Sequence, residues 1–192
     1  MKFAQLASLG IILAMLALSP QPQVVVVPTA EAVIVTPTVA KKKIVKKKPA
    51  PGLYAFMMRM SKTESNHKAN VVSKFGMLGK YQFAPATLRK MGYEVSTDSF
   101  LANEALQDKA MMTLMRNNRR YLRNVIREFS GKTFNGVYVT ESGILAGAHL
   151  VGSKGVLAFF YPDRYDSPLV DRNGMTVERY MTRFAGYQLV GL

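Results

Sequence analysis

The chain has 192 residues, enough for one domain and a tail, and carries a formal net charge of +14 with no cysteine and two histidines. Disulfides and thiolate metal sites are therefore excluded. His67 and His149 lack the short spacing of a zinc-hydrolase helix, and nothing in the residue pattern requires a metal or a cofactor.

Lys2 precedes an apolar run from Leu6 to Leu18 that only Ser8 and Gly10 interrupt. Its length suits a signal peptide or a retained membrane anchor over residues 1–19. Residues 20–51 read as an extended linker, because Pro28 and Pro37 interrupt the valine-rich stretches that would otherwise form strands. Lys41 to Lys48 is a basic block, expected to be solvated and able to hold the chain near anionic phospholipid. The charge is not confined to this tail. Residues before Pro51 contribute +6, and the remainder, with 19 Lys and Arg against 11 Asp and Glu, contributes +8. A basic body suits a polyanionic partner. Nucleic acid would meet the charge, but no helix-turn-helix, zinc-finger or aromatic RNA-binding pattern accompanies it, and no specific nucleic acid is expected.

Residues 52–192 read as a mainly α domain. Leu53, Phe56, Met57 and Met60 repeat at i, i+3, i+4 and i+7, the stripe of an amphipathic helix, and Glu64 continues it one turn later. A carboxyl group held against a core favours its protonated state, which a general acid needs. The helix is expected to fray at Ser65, Asn66 and His67 and to lead through Gly76 and Gly79 to Tyr81, Gln82 and Phe83. Periodicity alone leaves open a solvated Glu64 beside glycines that only make turns. A short helix is expected from Pro85 to Met91, closed by Gly92. The longest helix is expected to open at Asn103-Glu104 and run to about Phe129, with Arg116, Arg119, Arg120, Arg123 and Arg127 off its apolar face. Thr140 is a suitable N-cap for a further helix that Gly152 breaks, with Gly155 in a tight turn and His149 at the break. A core histidine and a substrate contact are both compatible with that position. Asp163 to Gly174 reads as loop. Thr176 then caps a last helix with Val177, Tyr180, Met181 and Phe184 inward, followed by Gly186-Tyr187.

Three segments in order carry a family resemblance. Glu64-Ser65 and Gly76-Met77-Leu78-Gly79-Lys80-Tyr81-Gln82-Phe83 resemble the Glu-Ser and Gly-x-x-Gly-x-x-Gln motifs of the lysozyme-like superfamily. The nearest likeness is to lytic transglycosylases and related phage and bacterial muralytic domains. Ser142 to Val156, with Gly147-Ala148-His149-Leu150-Val151-Gly152-Ser153-Lys154-Gly155-Val156 at its end, is similar to the Ala-Ala-His-Leu-Gly-Gly-x-Gly-Gly-Val segment of some of these domains. The resemblance spans roughly residues 52–187. It implies a lysozyme-like domain that cleaves peptidoglycan, with Glu64 as sole catalytic acid/base. It also implies substrate contacts from Ser65, Gly79, Tyr81, Gln82, His149 and Tyr187. Lys80 departs from the apolar residue that better-known members carry inside the second motif.

The implied reaction breaks the bond from N-acetylmuramic acid to N-acetylglucosamine and leaves a 1,6-anhydro end. A hydrolysing lysozyme uses a second carboxylate, about 5 Å away or further with a water between. No acidic residue follows Glu64 until Glu94 and Asp98, which favours the transglycosylase. A hydrolysing muramidase and a non-catalytic wall-binding module remain as alternatives. The expected location is the periplasm or cell wall, exported or membrane-anchored, or a virion if phage-encoded.

Overall fold

The computed structural model describes residues 50–192. The expected signal or anchor (1–19), nearly all of the linker (20–51) and its Lys41–Lys48 block lie outside the described residues. Within them the fold is mainly α, as the periodicities predict. The elements run α1 (Leu53–Ser65), α2 (Pro85–Lys90), α3 (Thr97–Leu101), α4 (Glu104–Tyr121), α5 (Arg123–Phe129), β1 (Thr133–Phe134), β2 (Val137–Tyr138), α6 (Glu141–Phe160) and α7 (Val177–Arg183).

The helix ends follow local chemistry. Asn103, Thr140 and Thr176 accept backbone N–H groups of the first turns of α4, α6 and α7. Asn66 ends α1 in the left-handed region, at φ 54°. The β1–β2 hairpin turns at Asn135-Gly136, both with positive φ, a pair suited to a two-residue hairpin turn.

Two expectations need correction. The helix predicted from Asn103 to Phe129 is two helices, broken at Leu122, whose φ/ψ of −93°/14° departs from the helical basin. Leu122 N still bonds Asn118 O, and Ile126 N bonds Leu122 O, so the chain is redirected rather than released. The fully buried Leu122 and Val125 thereby enter a second part of the core. No glycine or proline marks this break. Gly155 does not turn the chain either: it lies inside the second half of α6. A Cβ there would stand 2.6 Å from Val151 Cγ2 and 3.1 Å from Pro168 O, so its bareness serves packing.

The core has two clusters. Phe56, Met60, Phe83, Phe100, Met111 and Phe184 belong to one, and Leu122, Val125, Val156, Phe159, Phe160 and Met181 to the other. Helices α6 and α7 belong to both: Leu145 and Tyr180 face the first cluster, Ile144 and Val177 the second. By length and composition α6 could cross a membrane, but most of it is buried within this core. The α6–α7 contact is close because Gly143 and Gly147 line it. A Cβ on Gly143 would stand 2.8 Å from the Met181 carbonyl oxygen. On Gly147 it would meet only side-chain atoms, at 3.1 Å.

Backbone cannot yield as side chains can, so the two glycines should respond differently to a methyl group. Gly143→Ala should cost about 1–3 kcal/mol in urea unfolding and Gly147→Ala clearly less. Equal losses would show that α7 moves as a body and that the backbone contact is not limiting.

Candidate active site

Glu64 occupies the last turn of α1, one turn beyond Met60. Its side chain is 18% exposed. The Tyr180 hydroxyl of α7 donates to Glu64 Oε1 and lies 3.2 Å from Met60 Sδ. His149 Nε2 of α6 stands 3.8 Å from the same Oε1, while its Nδ1 is buried and has no hydrogen-bond partner among the described residues. The His149 ring lies edge-on to Phe83 at 6.0 Å between centres. Glu64 Oε2 makes no hydrogen bond among the described residues and is not one of the sealed polar atoms. Three helices therefore converge on one carboxylate and leave one oxygen available.

The segment after α1 is folded by short bridges, Val72 with Leu78 and Leu78 with Phe83. Ser65, beside Glu64, reaches this loop: its hydroxyl lies 3.1 Å from both the Lys68 and Lys80 carbonyl oxygens. Gly79 has φ 69°, and a Cβ on it would stand 2.2 Å from Gln107 Oε1. That space belongs to the fully buried Gln107 of α4. Its Oε1 accepts the Lys80 backbone N–H at 2.7 Å, and its Nε2 donates to the carbonyls of Ala69 and Phe100, each at 3.0 Å. One amide thus joins the loop to α3 and α4. Gln82 follows at φ 51°, a left-handed conformation uncommon for its type, and its Nε2 donates to Gly79 O at 2.8 Å.

These pieces surround a cavity of about 640 Å3. Glu64, Gln82 and His149 line it, as do Asn118 of α4, Gly152 at the break in α6 and Asp171 of the 163–174 loop. Gly152, at φ 77° and ψ 164°, interrupts α6 as its sequence predicts. Ser153 beyond it donates to Asn118 Oδ1 at 2.8 Å, which ties α6 to the cavity face of α4. Asp171 is committed to its own turn. Its Oδ1 accepts the backbone N–H groups of Asn173 and Met175, and its Oδ2 the Asn173 amide.

Of the residues expected to touch substrate, Gln82 and His149 join Glu64 in the cavity wall, and four others do not. Tyr81 points away: its ring is buried and its hydroxyl donates to Asp108 at 2.6 Å. Ser65 and Gly79 shape the loop behind the wall. The half-buried Tyr187 ring packs edge-on against Phe56 at 5.5 Å, on the border of the first core cluster. Lys80, the departure from the family pattern, is held by Asp108 at 3.0 Å and Glu104 at 3.6 Å on the surface of α4. Tyr180, Gln107, Asn118 and Asp171 were not singled out by sequence. The first three carry a signal: each is a hydrogen-bonding side chain on the inward face of a helix, where an apolar residue would be expected.

Three tyrosines are pushed above the usual phenol range. Tyr161 is raised to about 12 by burial and then by its hydrogen bond to Glu128. For Tyr180 burial is the main cause, followed by the Glu64 carboxylate beside it. For Tyr81 it is burial and then the hydrogen bond to Asp108. Compared with protein-family models, curated proteins and solved structures, the chain matches none.

A group whose pKa is raised by folding contributes its full stabilisation below the unfolded value, near 10 for tyrosine, and loses it as pH climbs towards the folded value. Spectrophotometric titration of the native protein should therefore show the exposed tyrosines ionising first, with Tyr81 and Tyr180 ionising only on unfolding. Tyr180→Phe should subtract one phenolate from the late phase and leave the early phase unchanged. A smaller early phase would mean that the Tyr180 hydroxyl opens to solvent in the native state.

Proposed function

We propose that residues 52–192 form a lysozyme-like domain acting as a lytic transglycosylase on peptidoglycan, with Glu64 as its acid/base. The observation that carries this reading is a single available carboxylate on the wall of a groove-sized cavity, held by Tyr180 and faced by His149. Protonated Glu64 gives its proton to the oxygen joining N-acetylmuramic acid to N-acetylglucosamine. The C1–O bond breaks, the N-acetylglucosamine side leaves with a free 4-hydroxyl, and oxocarbenium character develops at C1. The ionised carboxylate then takes the proton of the muramyl C6 hydroxyl as that oxygen closes on C1. The product is a 1,6-anhydro end, no water is consumed, and Glu64 is protonated again.

The Tyr180 hydroxyl fixes one carboxylate oxygen, so the other exchanges the proton. Gln82, with its Nε2 used by the loop, offers Oε1 to a substrate N–H or O–H. The N-terminal apolar run would carry the domain out of the cytoplasm, and the Lys41–Lys48 block would hold it at an anionic membrane facing the wall. A hydrolysing muramidase is the second reading, and one observation favours it: Asp171 lines the same cavity. Its oxygens are taken up by Asn173 and Met175, which ranks that reading lower.

The test is digestion of purified peptidoglycan by the full-length protein, with products identified by mass spectrometry. The wild type should release muropeptides lighter by one water than hydrolysis would give. Glu64→Gln should lose at least about 100-fold in rate, and Asp171→Asn should keep the anhydro product. Reducing-end products that vanish in Asp171→Asn would establish the muramidase. Wall binding with no product from the wild type would leave a binding module.

A further inference from the structure

The reaction above leaves the rim of the cavity unused, and two loops from distant parts of the chain meet there. One brings Lys74 and Phe75 to the wall, and the other brings Arg172. The Lys74 ammonium lies 4.9 Å from the Phe75 ring centre and the Arg172 guanidinium carbon 5.8 Å from it. Both cations are exposed, and neither forms an ion pair or a hydrogen bond among the described residues. Lys80 and Arg119, by contrast, are matched by Asp108 and Glu141. The carboxylate next in sequence to Arg172, Asp171, is occupied by its own turn.

Two exposed cations held against one ring without a counter-ion leave a local positive potential that an anion placed beside them would meet. The two legs through the ring centre limit their separation to what about three extended residues can span. A guanidinium fork beside an ammonium point charge suits carboxylates. We infer that Lys74 and Arg172 form a carboxylate clamp at the cavity rim, which grips the acidic peptide stems borne by the glycan that Glu64 cuts. The clamp rests on the peptidoglycan reading and adds to it: the preferred substrate is strand that still carries its stems, rather than bare glycan.

The test is binding of the full-length protein, in solution, to purified glycan strands free of phosphate polymers, in a Glu64→Gln background so that the strands stay intact. Uncross-linked strands with their stems are compared with strands stripped of them by an amidase, the lactyl carboxylate so exposed being capped as an amide. Stripping should weaken binding roughly tenfold, the equivalent of two modest ion pairs. It should have no effect on the Lys74→Gln/Arg172→Gln variant, which should bind both preparations at the stripped level. Lys74→Arg with Arg172→Lys should restore the preference, and unchanged thermal midpoints should show that all variants are folded. Equal wild-type binding to both preparations, or equal weakening on both in the variant, would overturn the clamp and leave the muralytic reading standing. No binding to either would overturn both.

Discussion

The contact between Tyr180 and Glu64 decides where everything else in this domain can stand. It is a polar link inside an otherwise apolar meeting of α1 and α7, between residues far apart in sequence. Neither group belongs there alone. A buried phenol without an acceptor and a largely covered carboxylate without a donor would each be costly. Together they form a hydrogen bond to a charged or readily charged group, worth roughly 1.5–3 kcal/mol by general experience. The bond also requires α7 to approach α6 closely enough to present Tyr180 at that depth. Gly143 and Gly147 permit this approach, and Phe56, Phe184 and Tyr187 stack around the same point from the core side. The packing of α6 on α7 and the position of the carboxylate are thus one constraint.

The second anchor is an amide. Gln107 fills the space that Gly79 leaves and satisfies backbone groups on the 68–84 loop and at the end of α3. A loop held by a buried side chain has a definite shape without strands or disulfides, and the chain has no cysteine to provide the latter. That shape forces Gln82 into the left-handed region at the cavity edge. Such a conformation costs of order 1 kcal/mol or more and persists only where its surroundings impose it. The same turn sends Tyr81 to the opposite side, where Asp108 receives it. Alternation along three residues therefore assigns one side chain to the cavity and its neighbour to the scaffold.

How much of this was legible in the sequence differs from element to element for identifiable reasons. Glu64 was legible because it breaks an apolar stripe at a helix end, and Gly152 because a glycine in a helical run with such neighbours has few other uses. The caps at Asn103, Thr140 and Thr176 were legible from residue type. Tyr180 was not: in the stripe Val177, Tyr180, Met181, Phe184 it reads as core, and only its hydroxyl hints at a partner that no local pattern identifies. Leu122 was hidden because its bend answers to the second core cluster, a demand of tertiary packing. Tyr81 and Tyr187 were placed in the groove by analogy with a motif. The hydrogen bond to Asp108 turns Tyr81 away and the packing on Phe56 holds Tyr187, and both are long-range contacts.

The number of carboxylates that can act is the point on which structure and proposed chemistry bear on each other most closely. Two line the cavity, but they are not equivalent. Asp171 Oδ1 receives two backbone N–H groups, so swinging it towards a sugar would undo the turn that presents Arg172. Glu64 has one oxygen held and one unengaged, the arrangement a group needs if it is to give a proton and take it back without moving. An intramolecular closure by a C6 hydroxyl asks for a single such group. Hydrolysis asks in addition for a second carboxylate free to hold a water or to attack C1. The turn that fixes Asp171 therefore favours a reaction that consumes no water, and the same turn sets out the cationic rim where a stem-bearing strand would be held.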